Sequence, residues 1–171
     1  YEISTRDWSS DVCSSDLAGA RGHRGAQAGE ALMSGAAKLQ ARRCALQAMY
    51  ELDQGAGADS LAGVLADDAD AASDAQALEH GRSLAAMAWE FRDEADAALA
   101  DLVSDWPVHR QPVVDRNVLR LAVYEMSRGG VPHALAIDQA VELAREFGGE
   151  RSPAFVNAVL DRWWKRRGGG A

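Results

Sequence analysis

The last third of the chain, residues 131–160, constrains the fold most, because it predicts two consecutive helices with a marked turn between them. Pro132 suits a first helical position, since proline has no N–H to satisfy and its φ is already helical. Apolar residues then recur at helical spacing, and charged residues form the opposite face. Gly148-Gly149 predicts a left-handed cap at the end of this helix. Ser152-Pro153 predicts the N-cap and first residue of the next helix.

The composition favours an all-α protein. The chain has 171 residues, of which 47% are hydrophobic, enough for one domain with a sizeable core. No alternating strand pattern persists, and no apolar run approaches the roughly 20 residues of a membrane span. No secretory signal is visible. The two cysteines, Cys13 and Cys44, make no disulfide framework, so we expect a reducing, cytoplasmic location.

The charge is acidic overall but unevenly distributed. A formal net charge of −8 argues against a protein that coats nucleic acid nonspecifically. Residues 51–105 hold fourteen acidic side chains and only two basic ones, and a solvated helix surface is the simplest interpretation of this block. Basic residues lie before and after it, so we expect any RNA contact to be local to those parts.

The N-terminal stretch does not have the pattern of a folded segment. Residues 7–17 resemble the translation of a common sequencing-library adaptor, and residues 1–17 have no period and no capping signal. We therefore interpret residues 1–36 as an artefactual or disordered leader, with Met33 as a candidate native start. The alternative is a genuine disordered leader. The domain is predicted at residues 37–165, followed by a flexible tail at 166–171.

Periodicity predicts further helices along the domain. The most apolar one, residues 112–128, is expected at the centre of the fold, with Val118 and Leu121 in the core. Residues 66–73 are predicted to form an acidic linker, and a helix break near Glu90 is left open. The other predicted helices are residues 37–53, a short one capped by Ser60, residues 74–89 and residues 91–103.

No enzyme constellation is present in the sequence. It contains no phosphate-binding loop, no nucleophile elbow and no H-E-x-x-H zinc helix. Three histidines, His80, His109 and His133, are scattered, and none lies near a cysteine at metal-ligand spacing. We therefore predict a binding protein that is not an enzyme and has no cofactor or metal.

Three motifs resemble the NusB family of bacterial transcription antitermination factors. The first is A-x-Q-A-x-Y at residues 45–50, and the second is the apolar segment Val114–Met126. The third is the C-terminal third, with IDQAVELAREFGGE and FVNAVLD. They occur in the family's order and spacing and cover most of residues 38–161, with the acidic middle least similar. The resemblance implies an all-α, NusB-like bundle of about six or seven helices.

Two elements are candidates for RNA binding. Lys38, Arg42 and Arg43 lie at the start of a helix, where they suit RNA phosphates or are ordinary solvated cations. Phe155 follows a turn, where it suits an unpaired base or a core position. The resemblance favours the RNA interpretation of both and implies that the RNA is a boxA element. The family commonly has an acidic residue where Arg151 stands, and a positive charge there would attract phosphate.

The resemblance also implies a protein partner. NusB proteins bind NusE, the ribosomal protein S-ten, within the RNA polymerase antitermination complex. Tyr50, Asp115 and Glu125 match family positions on or near that surface, although packing within the bundle is the alternative for Glu125. Acidic charge suits a strongly basic partner, since opposite fields steer association. The predicted function is antitermination, in which boxA RNA and NusE are bound to promote processive rRNA transcription.

Two other functions compete with this prediction. One is a NusB-like N-terminal domain of a truncated rRNA cytosine methyltransferase, which would need a long catalytic domain with an α/β fold. The other is a homodimeric helical protein that keeps the bundle without binding RNA. Binding to NusE and to boxA RNA discriminates among the three.

Overall fold

The computed structural model describes residues 33–55 and 72–168, and all regular structure in these two ranges is helical. The all-α prediction and the expected number of helices are therefore confirmed. The predicted short helix near Ser60 and the adaptor-like leader lie outside the described residues. Short 3-10 turns cover Ala100–Leu102 and Val108–Arg110. The described α-helices are α1 (Gly35–Asp53), α2 (Ala72–Glu90), α3 (Arg92–Leu99), α4 (Val113–Ser127), α5 (His133–Phe147) and α6 (Ser152–Arg166).

The chain divides into two compact units, one ending at Ala86 and the other beginning at Met87, so that α2 contributes to both. None of the described helices is long and apolar enough to cross a membrane. In the first unit, α1 begins where the Ser34 hydroxyl accepts a hydrogen bond from the Ala37 N–H at 3.1 Å. This N-cap starts the helix slightly earlier than the sequence predicts, because a serine acceptor satisfies one of the free N–H groups of the first turn.

The helices α1 and α2 approach each other closely at Gly81. A Cβ atom added to Gly81 would lie 2.6 Å from the carbonyl oxygen of Ala41 and 2.7 Å from the Cβ of Cys44. Glycine inside a helix costs about 1 kcal/mol relative to alanine. Because glycine has no side chain, α2 can lie directly against α1 at this point. The close packing of α1 and α2 therefore accounts for a glycine inside α2.

The second unit is built around α4. This helix packs against α3, α5 and α6, and its buried residues form most of its length. Val118 and Leu121 are both buried, which confirms the prediction that they are core positions. Pro112 lies at the N-cap, where its lack of an N–H leaves no helical hydrogen bond unmade.

The helix break near Glu90 is a single residue, Phe91, between α2 and α3. The Phe91 N–H donates to the Met87 carbonyl at 3.1 Å, and the Ala95 N–H donates to the Phe91 carbonyl at 3.0 Å. Helical hydrogen bonding therefore continues almost through the break. A bidentate ion pair then fixes α3 to α4, in which Arg120 Nε donates to Asp96 Oδ1 at 2.8 Å and Arg120 Nη2 donates to Asp96 Oδ2 at 2.6 Å.

The turn between α5 and α6 differs from its prediction. Gly148 is extended, with φ −92° and ψ −175°, so the predicted left-handed cap is wrong. Its glycine is required by space instead, because a Cβ atom would lie 2.5 Å from the Ala144 carbonyl oxygen and 2.6 Å from the Ser152 Cβ. Ser152 begins α6 rather than capping it, and Pro132 precedes α5 as its N-cap rather than its first residue.

Candidate nucleic-acid interface

The first candidate element is the start of α1, which carries Lys38, Arg42 and Arg43; we call it the α1 entry. Lys38 and Arg43 are half-buried, whereas Arg42 is only 3% exposed. The Nη1 atom of Arg42 donates to the Lys38 carbonyl at 3.1 Å. The Nη1 atom of Arg43 lies 3.4 Å from the Gln40 Oε1. The structure thus places the three cations on one helix but leaves only Lys38 and Arg43 partly open to solvent.

The second candidate element is the turn from Gly148 to Phe155, which we call the α5–α6 turn. Arg151 is exposed and Phe155 is half-buried. The Phe155 N–H donates to the Arg151 carbonyl at 3.1 Å, so the two residues are joined across the first turn of α6. The structure therefore places Arg151 and Phe155, which the sequence proposed as one RNA-binding element, one helical turn apart at the start of α6.

Two hydrogen bonds close this turn. The Gly149 N–H donates to the Ser152 hydroxyl at 2.9 Å, and the Ser152 N–H donates back to the Gly149 carbonyl at 3.0 Å. Ser152 is buried. Because both bonds join Gly149 to Ser152, they fix the backbone where α6 begins, and this is the segment that carries Arg151 and Phe155.

Asp115 of α4 contacts the same turn from inside the fold. Its side chain is 2% exposed and forms a hydrogen bond with Ser152. Burial raises the pKa of the Asp115 carboxyl above its ordinary value, and the hydrogen bond with Ser152 lowers that pKa by a smaller amount. Its Oδ1 atom has no hydrogen-bond partner among the described residues. Asp115 is therefore a buried support of the turn, which the sequence pattern did not indicate.

The three residues predicted to bind a protein partner differ in accessibility. Tyr50 is 42% exposed, whereas Asp115 is 2% and Glu125 is 4% exposed. Direct contact with a partner requires an accessible side chain. Of the three, Tyr50 alone offers a large open surface in the described structure.

An aromatic residue that no sequence pattern indicated lies beside Phe155. Trp106, in the loop between α3 and α4, has its ring centroid 5.1 Å from that of Phe155, with the ring planes tilted by 58°. Its indole N–H donates to the Arg110 carbonyl at 3.1 Å. The only sequence signal was a tryptophan followed by proline outside any predicted helix. Within the described ranges, no group of three or more His, Cys, Asp and Glu side chains is arranged to hold a metal ion.

These features define an all-α protein whose helix starts carry basic and aromatic side chains. The model of the NusB family matches residues 39–165, and the chain belongs to that family. Transcription antitermination protein NusB of Streptomyces griseus is 38% identical over 133 residues, covering 75% of this chain and 92% of that protein. The protein of the same name from Solibacter usitatus is 54% identical over 72 residues, covering 42% of this chain and 49% of that protein.

The solved structures include a similar fold. T. maritima NusB aligns with a TM-score of 0.62 and 29% sequence identity, covering 78% of this chain and 93% of that chain. The resemblance found in the three sequence motifs is therefore confirmed. The similar proteins are named as antitermination proteins and not as enzymes.

Proposed function

We propose that this protein acts in transcription antitermination by joining NusE, the ribosomal protein S-ten, and binding the boxA element of nascent RNA. In this role it promotes processive rRNA transcription as part of the RNA polymerase antitermination complex. The observation that carries the proposal is the family match over residues 39–165, together with relatives named transcription antitermination protein. No relative reported above is named as a methyltransferase, so the rival enzyme function gains no support.

RNA is held by two chemically different elements in this proposal. The α1 entry supplies positive charge through Lys38 and Arg43, which neutralise phosphates and release counterions. The α5–α6 turn supplies Phe155 for stacking on an unpaired base and Arg151 for a phosphate. The exposed position of Arg151 and the half-exposed ring of Phe155 support this division. Arg42 acts through the helix that carries the other two cations, because its own side chain is buried.

The partner site for NusE includes Tyr50, whose open ring supports a direct contact. Asp115 and Glu125 belong to the proposal as internal supports, because their carboxyl groups are buried. The net charge of −8 supplies the field that steers a basic partner towards the protein.

The proposal is tested by reconstituting the full chain with NusE and a fluorescent boxA RNA. We expect the pair to bind boxA more tightly than either protein alone, and more tightly than a scrambled RNA of the same length. Tyr50→Ala should weaken NusE binding without lowering the melting temperature, since Tyr50 is exposed. Analytical ultracentrifugation of the same samples separates a complex with NusE from a homodimer. Absence of NusE binding together with equal affinity for boxA and scrambled RNA would contradict the proposal.

A further inference from the structure

The loop between α3 and α4 presents a large aromatic side chain that the proposed function does not use. Trp106 is 40% exposed, although tryptophan is on average among the well-buried residues. Exposed tryptophan is frequently found at binding surfaces, because its ring offers a wide contact area and few rotatable bonds. Core packing alone therefore does not account for the Trp106 side chain.

Hydrogen bonds hold Trp106 at three points. Its N–H donates to the Val103 carbonyl at 2.9 Å, and its carbonyl accepts from the Gln111 Nε2 at 2.9 Å. Its indole N–H donates to the Arg110 carbonyl at 3.1 Å. Because both the backbone and the indole ring are fixed within one loop, a ligand that stacks on the ring does not have to order it first.

Trp106 lies against the aromatic residue of the proposed RNA site. The ring centroids of Trp106 and Phe155 are 5.1 Å apart and their planes are tilted by 58°, within the range that aromatic pairs prefer. A tilted pair leaves ring surface uncovered, in agreement with the exposure of Trp106. We call these two residues the Trp106–Phe155 ring pair.

The charges around this ring pair balance each other. Arg110 and Arg151 are exposed in the two segments that carry the rings, but so are Asp105 and Glu150. Arg151 can still contact one phosphate, but the exposed charges of the two segments cancel and do not draw RNA to Trp106. Stacking of bases on aromatic rings needs no net charge, and it tolerates any base because every base has a π face.

We propose that Trp106 is a second stacking residue for single-stranded RNA, and that it holds an unpaired base next to the one on Phe155. This inference rests on the proposed function, in which Phe155 stacks a base of boxA. The competing role of Trp106 is to cover Phe155 as an apolar lid without touching RNA. The two roles differ in whether an aromatic face is needed at residue 106.

The first test measures boxA affinity for the full chain in complex with NusE. Trp106→Leu keeps an apolar cover but removes the aromatic face, and should lower affinity about 5- to 150-fold, the range of one lost stacking contact. Trp106→Phe should restore most of that loss. Phe147→Leu is the matched control, because Phe147 is another exposed aromatic residue of the same unit. It should bind like the parent, and none of the three should change the salt dependence.

The second test locates the contact directly. RNA carrying 4-thiouridine at successive boxA positions is crosslinked to the complex by near-ultraviolet light, and the modified peptide is identified by mass spectrometry. We expect one position to crosslink to Trp106 itself. This readout uses the parent protein, so it shows whether Trp106 contacts RNA even if Trp106→Leu lowers the melting temperature.

The outcomes separate this inference from the proposed function. If Phe155→Leu weakens boxA binding but Trp106→Leu does not, and no crosslink reaches Trp106, the ring pair is not a two-base site and only this inference fails. If neither variant weakens binding, the proposed RNA site at the α5–α6 turn fails with it. Equal loss in Trp106→Leu and Trp106→Phe, without a crosslink, would also overturn the stacking role.

Discussion

The α1 entry and the α5–α6 turn are both predicted RNA-binding elements, but the structure builds them differently. At the α1 entry the side chains follow one another along a helix, and the most central cation, Arg42, is buried against its own backbone. At the α5–α6 turn, hydrogen bonds between Gly149 and Ser152 fix the start of α6 before any ligand is present. One element offers charge, and the other offers a fixed aromatic position.

If the two elements bind RNA as proposed, this difference divides the binding energy between charge and stacking. Charge on a helix surface attracts any RNA and weakens with salt. A ring held in a fixed orientation contributes stacking, which depends little on salt. We therefore expect loss of the Phe155 ring to alter affinity strongly and salt dependence weakly, and loss of a cation at the α1 entry to do the reverse.

The largest expected effect comes from removing the space at Gly148. Gly148→Ala would place a Cβ atom 2.5 Å from the Ala144 carbonyl oxygen, so the α5–α6 turn must shift. We expect the free energy of unfolding to fall by about 2–3 kcal/mol, the cost of overpacking a tight site. Chemical denaturation measures it. The matched control is Gly149→Ala, whose nearest contact is 3.8 Å away and which should change stability by less than about 0.5 kcal/mol. Equal stability of the two variants would show that the turn is not close-packed.

A smaller effect is expected from the buried carboxyl under the turn. Burial raises the folded-state pKa of Asp115 above its unfolded value. Its contribution to stability is therefore fully present below the unfolded pKa and is lost as pH rises through the folded pKa. Asp115→Asn cannot ionise, so the stability of this variant relative to the parent should increase as pH rises above the unfolded-state pKa of the carboxyl.

Denaturation of Asp115→Asn and the parent at each pH provides the measurement, since other titrating groups cancel in the difference. Asp138→Asn is a suitable control, because Asp138 is exposed on α5. A constant difference between Asp115→Asn and the parent at every pH would mean that Asp115 does not titrate with a raised pKa.

The smallest expected effects distinguish the two arginines of the α1 entry. Arg42→Ala removes a buried side chain bonded to the Lys38 carbonyl, and should lower the free energy of unfolding by about 1 kcal/mol. Arg43→Ala should leave stability within about 0.5 kcal/mol of the parent. It should make the dependence of log K on log salt shallower by about 0.7, the value for one phosphate contact on a single strand. If Arg42→Ala, and not Arg43→Ala, makes the dependence of log K on log salt shallower, the buried Arg42 contacts RNA and the prediction is wrong.

The sequence predicted elements whose evidence is local. The apolar run of α4 identified Val118 and Leu121 as core, because burial follows from helical periodicity along one segment. Periodicity could not predict the extended conformation of Gly148. Glycine is needed there because a Cβ atom would meet Ser152, which comes close only after the chain has turned. Two glycines after a helix are typical of a left-handed cap, and Gly130, with φ +69°, does adopt that conformation.

In the candidate site, too, local sequence patterns did not predict contacts between distant segments. Phe155 and Arg151 were identified because they are close in sequence and match a family pattern. Trp106 meets Phe155 only through the packing of the second unit, and no local pattern joins the two residues. Asp115 was expected on or near a partner surface because it matches a family position, yet it is buried and forms a hydrogen bond with Ser152 of the turn. Contacts between distant segments thus account for what sequence reasoning missed.

We propose two modes of RNA binding, in which Phe155 of the α5–α6 turn stacks on a base and the α1 entry neutralises phosphates. A salt titration of boxA binding by the NusE complex tests this most directly, with Phe155→Leu and Arg43→Ala compared with the parent. We predict that Phe155→Leu weakens binding by about 1–3 kcal/mol at every salt concentration with an unchanged slope, whereas Arg43→Ala flattens the slope. A folded Phe155→Leu variant that binds boxA as tightly as the parent, or that differs from it only in slope, would contradict the claim.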